Sequence, residues 1–219
     1  MSVDAFRLIV FDLDGTLIDS RRDLADAANL LLASCGGGPL AEQDIGRMVG
    51  DGAATLVARV FEASGLERPP DALERYLAIY DRRLLNHTHP YPGMTDVLGV
   101  LAMRATLAVL TNKPLASARR ILEGLDLARH FAEDAVIGGD GPFPRKPDPA
   151  GLRHLRASAD VPVESTLFVG DSVTDWRTAR AALTPVCLAR YGFGYEGFPA
   201  HEIGPTDRLI DTPADLLAL

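Results

Sequence analysis

Short unbroken apolar runs punctuate this chain at wide intervals. They are Leu8-Ile9-Val10-Phe11, Leu107-Ala108-Val109-Leu110, Ala135-Val136-Ile137, Thr166-Leu167-Phe168-Val169 and Pro185-Val186-Cys187-Leu188. Continuous apolar runs of this length suit strands of a parallel sheet covered on both faces. Between them the apolar positions switch to helical spacing. Met94, Val97, Leu98 and Leu101 share one face, and Ala118, Ile121, Leu122 and Leu125 share another after Pro114, a residue tolerated in a first helical turn. Alternation of strand and helix predicts an α/β fold with a doubly wound parallel sheet. Leu209-Ile210 adds a last edge strand.

The alternation breaks between Leu17 and His89, where no strand pattern occurs. Four amphipathic helices are predicted instead. Their apolar positions are Leu24, Ala27, Ala28, Leu31 and Leu32; then Ile45, Met48 and Val49; then Leu56, Val57, Val60 and Phe61; then Leu73, Tyr76, Leu77 and Tyr80. Asp19 or Ser20 is the expected cap of the first. Gly36-Gly37-Gly38-Pro39, Gly50-Asp51-Gly52 and Gly65 with Pro69-Pro70 separate them. This stretch reads as a helical insert after the first strand, joined to the core near residues 16–19 and 90–93.

Composition narrows the function classes. At 219 residues and 47% hydrophobic, the chain can bury a sizeable core. A formal net charge of -8 gives no support to a nucleic-acid or anionic-membrane partner. Any anionic substrate therefore needs a metal or a few placed cations. The two cysteines, Cys35 and Cys187, lie far apart, as expected in a reducing compartment. The apolar run after the N-terminus is cut by Asp12, unlike a signal peptide, and no stretch is long enough to span a bilayer. The expectation is a cytoplasmic protein, monomeric or homodimeric.

Each predicted strand ends in polar groups. The first ends in Asp12 and Asp14, followed by Gly15-Thr16; the second in Thr111-Asn112-Lys113; the fourth in Gly170-Asp171-Ser172, with Asp175 four residues on from Asp171. Before the fourth strand lies Arg145-Lys146-Pro147-Asp148-Pro149, a lysine stiffened between prolines. Strands of one sense share one sheet edge, and ligands collect there. Two close carboxylates repel, and Mg2+, which favours carboxylate, carbonyl and water oxygens, would relieve the pair.

The ordered set Asp-x-Asp-Gly-Thr, Thr-Asn, Lys-Pro-Asp-Pro and Gly-Asp-Ser-x-x-Asp resembles the haloacid dehalogenase-like superfamily of phosphotransferases. Tyr91-Pro92-Gly93, Thr111-Asn112-Lys113-Pro114, Gly138-Gly139-Asp140 and Tyr191-Gly192-Phe193-Gly194 are similar to its phosphoglycolate phosphatase branch. The resemblance implies a Rossmann-like catalytic core over 1–16 and 90–219 and a helical cap of the four-helix type over 17–89. It implies a magnesium-dependent phosphatase acting on a small phosphorylated metabolite, 2-phosphoglycolate first. A sugar-phosphate phosphatase, a phosphosugar mutase and a catalytically silent binding protein are the alternatives. A phosphonatase would need a cap lysine, and 17–89 contains none.

By this resemblance Asp12 is the nucleophile and Asp14 the acid and base, shielded from water when the cap closes. Lys146 offsets charge on Asp12 and the phosphoryl group, and Thr111 and Asn112 donate to phosphoryl oxygens. Asp12, the Asp14 carbonyl and Asp171 hold the metal, with Asp175 behind them orienting a metal-bound water or Lys146.

Other features have blander readings. Asp171 could serve partly as a helix N-cap. His87-Thr88-His89 is expected to be an exposed hinge rather than a metal pair, and Trp176 a packing residue. Arg21, Arg22, Arg47 and Arg59 could meet a substrate carboxylate but are more simply solvated. Gly50-Asp51-Gly52 is a helix–helix turn that could also approach the site as a specificity loop. Leu183 stands where the branch usually has glycine, which should alter a helix end only. The proline-rich Gly141-Pro142-Phe143-Pro144 could shift how Lys146 reaches Asp12.

Overall fold

The computed structural model describes residues 6–219. Six parallel strands form the core sheet: β1 (Leu8–Phe11), β4 (Thr106–Leu110), β5 (Val136–Ile137), β6 (Thr166–Gly170), β7 (Val186–Ala189) and β8 (Arg208–Ile210), in the spatial order β5-β4-β1-β6-β7-β8. All the strands expected from the apolar runs are present. The alternation of side chains divides them between two buried clusters. Ile9, Phe11, Leu107, Val109, Leu167 and Val169 face one layer, while Leu8, Val10, Ala108, Leu110 and Phe168 face the other. Both layers are covered, which is why the strands read as continuous apolar runs.

The chain leaves β1 for β4 and β5 on one side, then crosses to β6, β7 and β8 on the other. The strand order therefore reverses around β1, and the crevice beyond its carboxyl end is a topological switch point. Helices α5 (Met94–Leu101), α6 (Leu115–Gly124), α7 (Ala150–Ser158) and α8 (Val173–Ala182) supply the crossovers.

The helical insert sits between two short segments, β2 (Ile18–Asp19) and β3 (His89–Pro90), which pair antiparallel. Two residues carry no readable period, so this ribbon was not predicted. The insert comprises α1 (Arg21–Ser34), α2 (Glu42–Gly46), α3 (Ala53–Ser64) and α4 (Ala72–Asp81). The expected faces of α1 and α3 are buried. Helix α2 is only five residues long, and Met48 and Val49 lie beyond it. On α4 the buried positions are Ala72, Tyr76 and Tyr80, while Leu73 is exposed, a one-position rotation of the expected face.

The cap expected at Asp19 or Ser20 is not made by Ser20. Its hydroxyl turns to Asp14 instead, and Asp19 accepts from the Arg21 backbone N–H at 3.0 Å. Nor is Asp171 a helix cap. Ser172 caps α8, in a reciprocal box with Asp175. The His87–His89 segment, expected to be exposed, is exposed at both histidines but not in its middle. Thr88 is buried, and the Asp23 carboxylate on α1 accepts from the Thr88 N–H, the Thr88 hydroxyl and the His87 N–H, each at 2.8 Å.

Candidate active site

Asp12 follows β1 directly, held by its N–H donating to the Val169 carbonyl of β6 at 2.8 Å. Gly15 then turns the chain at φ +86, a left-handed conformation that disfavours a side chain. Lys146 reaches this strand end from the loop before α7. Its ammonium lies 2.7 Å from Asp12 Oδ1 and 2.6 Å from Asp175 Oδ1. The proline-rich approach thus leaves Lys146 within reach of Asp12. Burial works against the Lys146 charge, but the Asp12 and Asp175 carboxylates hold its pKa above the ordinary lysine value.

Asp171, at the end of β6, lies in a cradle of three glycines. A Cβ on Gly15, Gly192 or Gly194 would collide with its side chain. The Gly194 N–H donates to Asp171 Oδ2 at 2.7 Å, and the Thr16 hydroxyl to Oδ1 at 3.3 Å. This gives a physical reason for the Tyr191-Gly192-Phe193-Gly194 pattern, which sequence reasoning used only as a likeness. Asp175 is fully committed: Oδ1 to Lys146, Oδ2 to the N–H and hydroxyl of Ser172 at 3.0 and 2.6 Å. It holds Lys146, one of its two expected tasks.

Oxygens of Asp12, Asp171 and Asp175 come within 4.8 Å of one another, all buried. Three carboxylates against the single ammonium of Lys146 leave two negative charges unbalanced. The strain appears in their acidity. Burial pushes Asp12 up to about 7, with Asp175 adding, Lys146 opposing and Asp14 adding further. Burial, then Asp175 and Asp12, likewise raise Asp171 well above the carboxylate range. A hard divalent cation on Asp12 and Asp171 supplies the missing charge, so the residues present fit magnesium.

Thr111 and Asn112 follow β4. The Thr111 hydroxyl accepts from the Lys113 N–H at 3.2 Å and keeps its own proton to donate. The Asn112 side chain is saturated. Its amide donates to the carbonyls of Gly50 (2.9 Å) and Lys146 (3.0 Å), and its oxygen accepts from the Lys146 N–H at 2.9 Å. It fastens two loops, so only the Asn112 backbone is left for a phosphoryl oxygen.

The Gly50-Asp51-Gly52 turn does reach the core. Beyond the Gly50–Asn112 bond, Asp51 accepts from the Thr174 hydroxyl at 2.7 Å and pairs with Arg59 at 2.6 Å. Gly52 stands where a Cβ would meet Arg145 and the Asn112 carbonyl. Between insert and core lies a cavity of about 50 Å³, lined by Asp12, Asp14, Thr111 and Lys113 below and by α3 and α4 above. None of Arg21, Arg22, Arg47 and Arg59 lines it. Arg47 pairs with Glu196 and Asp44, and Arg21 with Asp19 and Glu42. Trp176 donates to Asp207 at 3.0 Å and packs on Phe198, a packing role as expected.

The model of one protein family, haloacid dehalogenase-like hydrolase, matches residues 9–189. The chain belongs to this family. A phosphoglycolate phosphatase of Rhodospirillum rubrum is 47% identical over 199 residues, covering 87% of this chain and 82% of that protein. Phosphoglycolate phosphatase 1 of Pseudomonas aeruginosa is 38% identical, covering 96% of this chain and 78% of its own. Among solved structures, a predicted phosphoglycolate phosphatase from Haemophilus somnus 129PT superposes with a TM-score of 0.87 at 30% identity, covering 100% of this chain and 98% of that one.

In this haloacid dehalogenase-like hydrolase, the sequence reading named Lys113 at a strand end, Tyr80 on a helix face and Ser20 as a cap candidate, but gave none of them a role at the site. Asp14 pairs with Lys113 Nζ at 3.1 Å and accepts from the Ser20 hydroxyl at 2.5 Å. Lys113 also donates to the Tyr80 hydroxyl at 2.7 Å, its ammonium 4.5 Å from that ring's centroid. A signal was present. The chain has only two lysines, Lys113 and Lys146, among 22 basic residues. Both are buried, 6% and 4% exposed, in this site.

Proposed function

We propose that this chain is a magnesium-dependent phosphatase that hydrolyses 2-phosphoglycolate to glycolate and phosphate. The observation that carries the reading is a buried carboxylate, Asp12, which pairs with Lys146 and lines a cavity of about 50 Å³ between insert and core. One buried water occupies about 10–15 Å³ by such a measure, so the space suits a few water-sized groups. The named relatives support 2-phosphoglycolate as the substrate.

In this reading an Asp12 oxygen attacks phosphorus, the bond from phosphorus to the leaving oxygen breaks, and Asp14 gives that oxygen its proton. Water then attacks the aspartyl-phosphate, Asp14 takes its proton, and phosphate leaves Asp12. Magnesium, held by Asp12, the Asp14 carbonyl and Asp171, would neutralise phosphoryl charge. Lys146 adds a fixed positive charge beside Asp12, and Thr111 and the Asn112 backbone donate to phosphoryl oxygens. Lys113 and Ser20 fix the Asp14 carboxylate toward the leaving group. Residues 17–89 act as the cap that excludes water during both steps. The two free thiols suit a reducing cytoplasm.

The test is a substrate panel with magnesium: 2-phosphoglycolate, hexose phosphates, nucleoside monophosphates and pyrophosphate. The expected result is the highest kcat/KM for 2-phosphoglycolate. A higher value for a hexose phosphate would contradict the proposed substrate.

A further inference from the structure

We propose that Tyr76, Tyr80 and Lys113 form a subsite that holds a carboxylate on the leaving group, and so select the substrate. The inference rests on the phosphatase reading and names what recognises the part of the substrate away from phosphorus.

Tyr76 carries the argument. It is 1% exposed, lines the cavity, and among the described residues its hydroxyl has no hydrogen-bond partner. A buried hydroxyl left unpaired is costly, and such groups are uncommon unless a ligand completes them. Tyr80 lies one helical turn further along α4, so both rings share a face. The rings stack with centroids 6.0 Å apart and planes within 9°. The Tyr80 oxygen accepts from Lys113, which leaves its own proton to donate.

Lys113 completes the set. Its ammonium has three protons, one toward Asp14 and one toward Tyr80. It is the only cation lining this cavity among the described residues. The rest of the upper wall is apolar, with Leu24, Val49, Ala53, Leu56 and Leu77. Such a wall offers nothing to a sugar hydroxyl, whereas one ammonium and two phenolic donors match a carboxylate. Burial first, then neighbouring charges, keeps both phenols protonated and able to donate. The tyrosines come from the insert and the lysine from the core, so the subsite exists only when the two meet. Recognition of the carboxylate is thereby tied to closure.

The test compares 2-phosphoglycolate with ethyl phosphate, which lacks the carboxylate, using the intact protein with magnesium. For Tyr76→Phe, the ratio of kcat/KM for 2-phosphoglycolate to that for ethyl phosphate should fall about 10- to 100-fold, the loss of one hydrogen bond to a charged group. Tm should stay level or rise, because the hydroxyl has no partner to lose. Tyr80→Phe should lower the same ratio. An unchanged ratio in both variants, or a Tyr76→Phe protein whose Tm falls, would overturn the subsite. Equal losses on both substrates would also overturn it, since they would place Tyr76 in general catalysis or packing. If the parent protein turns over neither substrate, the phosphatase reading falls and takes the subsite with it.

Discussion

Asp12 is held where an isolated carboxylate would rather be neutral. Burial and the neighbouring Asp175 raise its pKa from 3.8 to about 7, and Asp171 is raised in the same direction. A carboxyl group whose folded pKa lies above its unfolded value binds more protons when folded. Its contribution to stability is therefore greatest at low pH and is lost as pH climbs through about 7. Magnesium binds the deprotonated form, so the Tm gain from saturating magnesium over EDTA should grow between about pH 5 and pH 8. Paired melting curves across that range check this, and a gain that shrinks with pH would contradict it. Asp12, Asp14 and Asp171 were legible in the sequence because each belongs to a short local pattern at a strand end, and Lys146 because it belongs to a proline-flanked loop pattern. Lys113, at a strand end, and Tyr80 and Tyr76, on a helix face, were named without a role, because their roles arise where the insert meets the core. Composition alone could have flagged Lys113, one of two lysines in an arginine-rich chain.

At the scale of elements, the strands were read correctly because burial on both faces leaves nothing but apolar residues. The ribbon β2–β3 was missed because two residues carry no period, and the capping of α8 by Ser172 because Asp171 beside it is equally suited by type. One local choice works against its element. Leu183 ends α8 at φ 58 with its side chain 81% exposed, a left-handed conformation at a position with no packing to repay it. Leu183→Gly should stabilise the protein by about 1 kcal/mol, since glycine meets no Cβ clash there while losing some chain entropy on folding. Urea unfolding measures it; a lower midpoint would contradict the strain argument. Activity is expected to be unaffected, because Leu183 is remote from the site residues.

The molecule as a whole joins a sheet edge to a helical insert through one apolar cluster that takes in Phe11 and Leu13 of the core and Leu24, Leu56 and Tyr76 of the insert, with polar contacts beside the site. Asn112 holds Gly50, Thr174 holds Asp51, Lys113 holds Tyr80, and Gln43 and Arg47 both donate to Glu196. The anionic balance of -8 is met at the site by two buried lysines, Lys113 and Lys146. Central to the proposed function is covalent catalysis at Asp12. The measurement that tests it most directly is release of inorganic phosphate from 2-phosphoglycolate with saturating magnesium, by the parent protein and by Asp12→Asn. Rapid release by the parent and a loss of at least about 10³-fold in the variant are predicted. Release by Asp12→Asn at a rate close to the parent's would contradict the account.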